Sequence, residues 1–316
     1  MYEAAYANAI IVDLNTRGII QLDGRDRGDF INRMSTNKLV ELQAGEGRAT
    51  VLTTPIGRII DLLAFLHDDE RALLITGEGR GQRIMDYLRR NIFFNDQVRM
   101  QDLSASYGLY GFYGKTAAEI LVRTIPEIPQ TEHDFVKHEN IIIINAEALT
   151  GNRGFWLSGE RALLDKWLHD LMQTEGVIRA DHDTYELLCI EAGYPLTGHE
   201  LTEEYIPLEA GLWHAVSFNK GCYTGQEIIA RMESRGKLAK TLVRLEMSEA
   251  LPPGMLLTQE DGKSVGSITS VARKTDDLYP GLGFIKPDAL SHAALFAGEN
   301  RLSVKILGTA GTQPER

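Results

Sequence analysis

A pattern of two apolar strands followed by an amphipathic helix occurs twice in this chain. Residues 58–76 predict a hairpin that turns at His67–Glu70, with a helix after it at about 80–91. Residues 140–158 predict a second hairpin, and the helix after it has a 3.6-residue period and is expected to stop near Gly176. The apolar face of that second helix consists of Leu163, Leu164, Trp167, Leu168, Leu171 and Met172. The repetition predicts an α+β fold in which helices cover antiparallel sheets.

The character of the chain changes at about residue 240. Short strand-like runs are separated there by turn signals at Pro252–Gly254 and at Asp261–Gly262, and the second signal is typical of a hairpin. This pattern predicts a small C-terminal β-barrel over residues 240–316. Residues 1–239 then form a region of two α+β subdomains, since 316 residues are too many for one simple core.

The N-terminal segment predicts two strands around a turn at residues 16–18. A helix is expected next, with Phe30, Ile31 and Met34 on one face. Asp26 precedes this helix and is placed to cap it.

Charge and composition exclude several classes of protein. The net charge is −11, whereas proteins that hold bulk nucleic acid through its phosphates are usually basic. No run of about eighteen apolar residues predicts a membrane span, and the N-terminus lacks the features of a signal peptide. The two cysteines, Cys189 and Cys222, predict a reducing, cytoplasmic compartment rather than a disulfide framework. A local basic cluster would still suit a small anionic ligand; it consists of Lys220, Arg231, Arg235, Lys237, Lys240 and Arg244.

Several familiar binding and catalytic motifs are incomplete. The stretch GLYGFYGKT at 108–116 has Leu109 where a phosphate-binding loop needs glycine, so a strand that turns into a helix is favoured. The glycines of residues 77–81 lack the spacing of a dinucleotide-binding turn. None of the eight histidines forms an HExxH motif, and CxxC and GxSxG are absent from the sequence. We therefore predict no metal site and no nucleotide cofactor.

Residues 220–227, KGCYTGQE, bring a lysine, a thiol and a phenol together with two glycines. In an extended segment Lys220 and Cys222 share one face, and an ammonium group near a thiol lowers the thiol pKa. Spacing alone leaves two interpretations open: a reactive thiol beside a ligand, or a small buried cysteine that only packs. Glu227 opens a helix, where it can pair with Arg231 one turn later.

Two glutamates, Glu191 and Glu209, each precede an Ala-Gly pair. A carboxylate beside a tight glycine turn at a helix end can accept two parallel N–H bonds. That arrangement suits the edge of a pterin or a guanine, which presents an amino group beside a ring N–H. For either glutamate alone, a capping or surface role is the simpler interpretation.

These segments together resemble the folate-binding YgfZ family, which is related to the T-protein of the glycine cleavage system, an aminomethyltransferase. The resemblance is carried by KGCYTGQEIIAR at 220–231, with IEAGYPLTG before it and VGSITSVAR after it. The block around Thr36–Asn37 supports it more loosely. The resemblance implies a monomer in which the α+β modules and the C-terminal barrel surround a channel for tetrahydrofolate.

The resemblance also implies roles for individual residues. Glu191, Lys220 and Tyr223 are expected to bind the folate cofactor, and Lys220 and Cys222 are expected to act in catalysis. Asp61 is a third candidate catalytic residue, because a carboxylate near folate N5 and N10 would assist C–N cleavage.

The chain departs from the T-protein pattern around this acid. T-proteins carry adjacent aspartates, whereas Leu62 follows Asp61 here, and an asparagine of the next strand is replaced near Thr76. This departure bears on whether aminomethyl transfer is retained.

Two functions of different classes follow from the resemblance. The favoured one is a tetrahydrofolate-binding accessory protein that supports assembly or repair of iron–sulfur enzymes, including those that modify tRNA, with Cys222 as a redox-active thiol. The alternative is an aminomethyltransferase that moves a one-carbon unit to tetrahydrofolate. A folate-binding module without catalytic activity is the third possibility.

Overall fold

The computed structural model of the protein describes residues 1–292 and 294–311, except for the side chain of Arg235. The N-terminal elements are α1 (Tyr2–Ala7), β1 (Ala9–Asp13), β2 (Arg17–Asp23), α2 (Arg27–Met34), β3 (Gly47–Thr53), β4 (Ile59–His67), β5 (Arg71–Glu78), α3 (Gly81–Arg89) and β6 (Arg99–Asp102). The middle elements are β7 (Tyr107–Gly114), α4 (Ala117–Thr124), β8 (Phe135–His138), β9 (Ile141–Ala146), β10 (Gly154–Glu160), α5 (Arg161–Leu171), β11 (Val177–Ala180) and α6 (His182–Ala192). The C-terminal elements are α7 (Gln226–Arg235), β12 (Thr241–Met247), β13 (Leu256–Thr258), β14 (Ser264–Val271), β15 (Tyr279–Ile285), β16 (Ala294–Ala297) and β17 (Leu302–Thr309).

Both predicted hairpins are present, each in a different sheet. Strands β4 and β5 pair antiparallel, with Ala64 opposite Ile75, in a five-stranded sheet of order β3-β4-β5-β2-β6. Strands β9 and β10 pair antiparallel, with Ile144 opposite Trp156, in a six-stranded sheet of order β11-β1-β7-β10-β9-β8. The N-terminal strands β1 and β2 enter different sheets, so the turn between them connects two sheets rather than closing a hairpin.

Helices α4 and α5 contribute to the core on one face of the six-stranded sheet. Leu164 and Leu168 of α5 are buried there, as their 3.6-residue period predicts. The predicted apolar face is wrong at two positions. Leu163 is 41% exposed, because it lies to one side of the buried stripe, and Met172 lies past the end of the helix and is 38% exposed.

Helix α2 buries the predicted residues Phe30, Ile31 and Met34. Asp26 occupies the N-cap position, but its side chain makes no capping bond. Its Oδ2 instead accepts the backbone N–H of Gln97 at 2.8 Å. The capping hydrogen bond predicted for Asp26 is therefore wrong, because its carboxylate accepts an N–H that is distant in sequence instead.

Strands β12 to β17 form a closed six-stranded barrel of order β12-β15-β14-β13-β16-β17. The predicted hairpin at Asp261–Gly262 joins β13 and β14, and Gly262 has the positive φ of 83° that favours glycine. Strand β16 closes the barrel by pairing with β13 and β17, but its four residues are too few for a periodic signal in the sequence. The predicted α+β class with a small C-terminal barrel is confirmed.

The chain divides into two compact units, each made of separate segments. Unit 1 comprises Met1–Thr53, Asp61–Thr184 and Ala215–Thr224, and unit 2 comprises Thr54–Ile60, Tyr185–His214 and Gly225–Arg316. The predicted domain boundary between residues 239 and 240 stays a prediction. Among the residues that the structure describes, no helix has the length and apolar character required to cross a membrane.

Candidate functional site

Asp61 lies in β4, belongs to unit 1 and is fully buried. Its Oδ2 accepts the backbone N–H of Gly77 at 2.9 Å. Its Oδ1 has no hydrogen-bond partner within the described part of the chain. Folded proteins satisfy nearly all buried polar groups, so such an oxygen needs an explanation, and a catalytic role is one of them.

Burial raises the pKa of Asp61 from its ordinary value of 3.8 to about 6, because the charged form loses its solvation. The Gly77 N–H and the guanidinium groups of Arg80 and Arg17 oppose this rise. The carboxyl group therefore gains and loses its proton close to neutral pH, where a general acid or base is effective.

The two positions at which the chain departs from the T-protein pattern supply no second acid beside Asp61. Leu62 is a buried apolar residue. The hydroxyl group of Thr76 accepts the N–H of Gly18 at 2.9 Å and donates to the carbonyl oxygen of Gly77 at 3.0 Å. Thr76 thus holds two strands of the five-stranded sheet together.

The ammonium group of Lys220, also in unit 1, is bound at the end of helix α2. Its Nζ donates to the carbonyl oxygens of Asn32 at 2.6 Å, Ser35 at 2.8 Å and Asn37 at 2.6 Å. The last carbonyl groups of a helix lack intrahelical partners, and an ammonium group has three hydrogens to give them. This geometry is that of a structural clamp. The predicted catalytic and cofactor-binding roles of Lys220 stay predictions.

Two opposing effects act on the pKa of Lys220. Burial lowers it to about 7, because the charged form loses its hydration. The three carbonyl acceptors raise it, because only the protonated amine supplies three hydrogens, and the Tyr223 ring, centred 5.2 Å from Nζ, also favours the cation. We therefore expect Lys220 to be charged at neutral pH.

The Thr36–Asn37 pair connects α2 and β3 to the segment that carries Lys220. The Thr36 hydroxyl donates to the carbonyl oxygen of Ala215 at 2.6 Å and accepts the N–H of Val51 at 3.0 Å. The Asn37 amide donates to a carbonyl oxygen of β3 at 2.8 Å. Both side chains are buried, so the pair acts as a connector inside unit 1.

Cys222 is exposed, whereas Tyr223 beside it is buried. The interpretation of Cys222 as a small packing residue is therefore wrong, and it is Cys189 in α6 that packs inside. Burial raises the pKa of Tyr223 to about 12, so its phenol stays protonated at neutral pH. The segment thus presents a solvent-accessible thiol on a backbone that the Lys220 clamp holds.

Glu191 lies at the end of α6 and belongs to unit 2. Its Oε1 accepts a hydrogen bond from Lys274 Nζ at 2.7 Å, and its backbone carbonyl accepts one from Arg244 at 3.2 Å. Cations are favourable at a helix C-terminus, so both contacts stabilise this end of α6. A carboxylate held in this way is suited to accept N–H donors from a ligand.

The glycines of the two Glu-Ala-Gly sequences both allow the backbone to pack closely against Ala310. Gly193 and Gly211 have φ values of 75° and 76°, and both lie against Ala310. A Cβ at Gly193 would meet the Ala310 Cβ at 3.2 Å, and one at Gly211 would meet the Ala310 carbonyl oxygen at 2.3 Å. The glutamates differ: Glu209 is 5% exposed and burial raises its pKa, whereas the Glu191 side chain is 18% exposed.

The remaining basic residues have individual contacts. The predicted pair of Glu227 and Arg231 forms at 3.6 Å, but both side chains are more than half exposed, so it is an ordinary surface pair. Lys240 lies over the ring of Tyr205. Arg235, a member of the predicted basic cluster, has a side chain outside the described residues.

Comparison with known proteins assigns the family. A model of the GCVT N-terminal domain matches residues 2–220, more than half of the chain. The chain belongs to the GCVT N-terminal domain family. Its match to that domain ends at Lys220, so Cys222 and Tyr223 lie beyond it.

Curated relatives of this GCVT-family chain include transferases. A putative chloroplastic transferase of Arabidopsis thaliana is 32% identical over 289 residues, covering 89% of this chain and 66% of the relative. The aminomethyltransferase of Natranaerobius thermophilus is 27% identical over 296 residues, covering 88% of this chain and 79% of the relative. The chain thus spans about two thirds of the length of the Arabidopsis protein.

A solved structure shares the fold. The glycine cleavage system aminomethyltransferase T from Bartonella henselae aligns with a TM-score of 0.86 and 19% identity, covering 99% of this chain and 88% of that one. The relationship to aminomethyltransferases that the sequence implied is confirmed at the level of family and fold. The YgfZ-type subfamily is a finer assignment and stays a proposal.

The sequence proposed candidate site residues but did not indicate their partners. Lys274 lies 83 positions from Glu191, and the only signal for it was a basic residue directly after VGSITSVAR. The partners of Lys220 are backbone carbonyls, which leave no trace in residue identity. Glu191 and Cys222 belong to different units, and the tetrahydrofolate channel that the resemblance implies stays a prediction.

Proposed function

We propose that this chain binds tetrahydrofolate and transfers a one-carbon unit to it, as an aminomethyltransferase does. The observation that carries the proposal is Asp61, a buried carboxyl group with an unpartnered oxygen and a pKa raised to about 6, in a chain of the GCVT family. Its relatives named aminomethyltransferases support the same reaction class.

In the proposed reaction, the methylene group of an aminomethyl-lipoyl carrier passes to N5 and N10 of tetrahydrofolate. The two folate nitrogens each lose a hydrogen, and the products are 5,10-methylene-tetrahydrofolate, ammonia and the carrier thiol. Asp61 transfers a proton while the C–N bond of the donor breaks, which is a task for an acid with a pKa near neutrality.

Glu191 contributes binding in this proposal. An ionised carboxylate accepts the amino group and the ring N–H of a pterin side by side, and such charge-assisted bonds are stronger than neutral ones. The contact with Lys274 and the backbone bond from Arg244 fix the position of Glu191. Lys220 and Tyr223 contribute to cofactor binding indirectly, through residues 220–227, the segment that the Lys220 clamp holds.

The direct test supplies the purified chain with tetrahydrofolate and an aminomethyl-loaded lipoyl carrier and measures 5,10-methylene-tetrahydrofolate and ammonia. We expect both products, and we expect Asp61→Asn to lower the rate by about 10²–10⁴-fold. Asp170→Asn, at an exposed aspartate of α5, is the matched control and should leave the rate unchanged. An authentic carrier that yields no product rejects the proposed reaction.

A second candidate function is the finer, YgfZ-type assignment. In it the chain binds tetrahydrofolate and supports assembly or repair of iron–sulfur enzymes and tRNA modification. The exposure of Cys222 and the presence of Leu62 in place of a second acid favour it. A cytoplasmic location and a monomeric state belong to the same proposal.

Complementation separates the two candidates. In a strain that lacks the native gene, Cys222→Ala should fail to restore the activity of an iron–sulfur enzyme if the thiol is required. The same variant should retain aminomethyl transfer, which does not use the thiol. Full rescue by Cys222→Ala rejects a role for the thiol, and failure of the wild-type chain to restore the activity rejects the second candidate.

A further inference from the structure

The loop between α3 and β6, in unit 1, presents two neighbouring phenylalanines to solvent. Phe93 is 60% exposed and Phe94 is fully exposed. Phenylalanine is among the residue types that are most often buried, so two adjacent exposed rings call for a physical reason. Exposed apolar groups that lie together are typical of surfaces that contact another molecule.

The backbone of this loop is held by contacts at both of its ends. Asp96 accepts the Phe93 N–H at 2.7 Å and pairs with Arg33. The Arg33 guanidinium lies 4.7 Å from the centre of the Phe93 ring, so it also fixes that ring. The Gln97 N–H donates to the Asp26 carboxylate at 2.8 Å. The loop is therefore already ordered, and a partner that binds it loses little affinity to the ordering of this backbone.

The segment that contains the loop is positively charged, although the chain as a whole carries a net charge of −11. Residues 80–99 contain five arginines and two aspartates. Arg89 and Arg90 are exposed and directly precede the loop, and Asp86 pairs with Arg89 at 3.8 Å. Arg90 pairs with no carboxylate in the part of the chain that the structure describes. This charge complements an acidic partner, and it opposes a symmetric contact with a second copy of the chain, which would place arginine against arginine.

Helix α3 connects the loop to the surroundings of Asp61. The helix has nine residues, which correspond to about 13 Å along its axis. Arg80, directly before the helix, is close enough to Asp61 for its charge to lower the pKa of that carboxyl group. A partner at the loop thus binds at the far end of this helix. A flexible lipoyl-lysine side chain is suited to bridge such a distance, because it extends its reacting group away from the carrier protein.

We propose that Phe93, Phe94 and Arg90 form a docking surface for a lipoyl-bearing carrier protein with an acidic surface. The inference rests on the proposed function, because it needs a protein that carries the aminomethyl group. Phe94 supplies the apolar anchor, since a fully exposed ring is free to enter a pocket of the partner. Arg90 supplies positive charge that speeds the encounter with an acidic surface.

The test compares two donors that carry the same aminomethyl-dihydrolipoyl group. One is the loaded, purified lipoyl carrier protein, and the other is free aminomethyl-dihydrolipoamide. Phe94→Ala should raise KM for the carrier without lowering kcat, so the ratio of kcat/KM for the carrier to kcat/KM for the free donor should fall at least about tenfold. Salt should raise the wild-type KM for the carrier, and Arg90→Gln should weaken this dependence. Val122→Ala, at an exposed residue of α4, is the matched control and should keep the wild-type ratio.

An unchanged ratio in Phe94→Ala overturns the docking surface and leaves the proposed function standing. Binding to phosphatidylserine vesicles that depends on Phe94, with the ratio unchanged, would assign the loop to a membrane instead. A dimer that depends on Phe94 in analytical ultracentrifugation, again with the ratio unchanged, would assign it to a second copy of the chain. Failure of the wild-type chain to form product from either donor overturns the proposed function itself. Both donors are measured on one protein preparation, so a loss of folded protein in a variant affects both rates alike.

Discussion

The buried side chain of Asp61 destabilises the folded protein at neutral pH, because its charged form loses its solvation. Its pKa in the folded protein, about 6, lies above the ordinary value of 3.8, so folding favours the protonated form. The stabilising contribution of that form is complete below about pH 4 and is lost as the pH rises through about 6. A residue that lowers stability at neutral pH is expected where function requires it.

The first prediction concerns this residue. Asp61→Asn should increase the free energy of unfolding at about pH 7.5 by up to about 3 kcal/mol, which corresponds to a shift of about two pKa units. The gain should vanish near about pH 4, where the aspartate is protonated in both states. Urea denaturation at the two pH values measures it, with Asp170→Asn as the control. An equal gain at both pH values contradicts the account.

The second prediction concerns Lys220. Lys220→Met keeps the length of the side chain but leaves three carbonyl oxygens without their donor, so we expect a loss of about 2–5 kcal/mol in the free energy of unfolding. Lys220→Arg retains the charge and should lose less. Lys237→Met, at an exposed lysine, is the control. A Lys220→Met variant as stable as the parent would show that the clamp contributes nothing.

At the scale of elements, the glycine turns after Glu191, at the end of α6, and after Glu209, in a loop, both pack on the barrel residue Ala310. Both turns need a positive φ, and both bring the backbone against Ala310. The Glu-Ala-Gly sequences were predicted to place carboxylates at glycine turns, and they do. Their contact with one barrel residue was not predictable, because it depends on the packing of segments distant in sequence.

The third prediction separates two reasons for glycine at these turns: the positive φ and the close contact with Ala310. Gly211→Ala meets both a φ of 76° and a carbonyl oxygen 2.3 Å from the added Cβ, so it should cost about 3 kcal/mol or more. Gly198→Ala meets a φ of 85° but no atom within 4 Å, so it should cost only about 1 kcal/mol. Thermal and urea denaturation of both variants measure the difference. Equal losses would show that the contact with Ala310 is unimportant.

At the scale of the whole molecule, the elements that could be predicted from the sequence are those that depend on local periodicity and turn residues. Both hairpins, the helices after them and most barrel strands follow from such local signals. The separation of β1 and β2 into two sheets does not, because pairing partners are chosen by contacts distant in sequence. The same reason explains why the sequence did not indicate Lys274 as the partner of Glu191, and why the clamp partners of Lys220 were missed.

The fourth prediction counts the thiols of the chain. Cys189 is buried and Cys222 is exposed. The native protein should therefore react with one equivalent of Ellman's reagent, and the denatured protein with two. Cys222→Ser should abolish the fast native reaction. Rapid reaction of both thiols in the native protein would contradict the burial of Cys189.

The central claim is that this GCVT-family chain binds a reduced pteridine through Glu191. Titration of tetrahydrofolate, kept reduced, into the wild-type chain and into Glu191→Gln tests it most directly. The account predicts saturable one-to-one binding by the wild type and an affinity about 10–100-fold lower in the variant, since a charged acceptor is lost. Absence of binding by the wild type, or equal affinity in the two proteins, would contradict it.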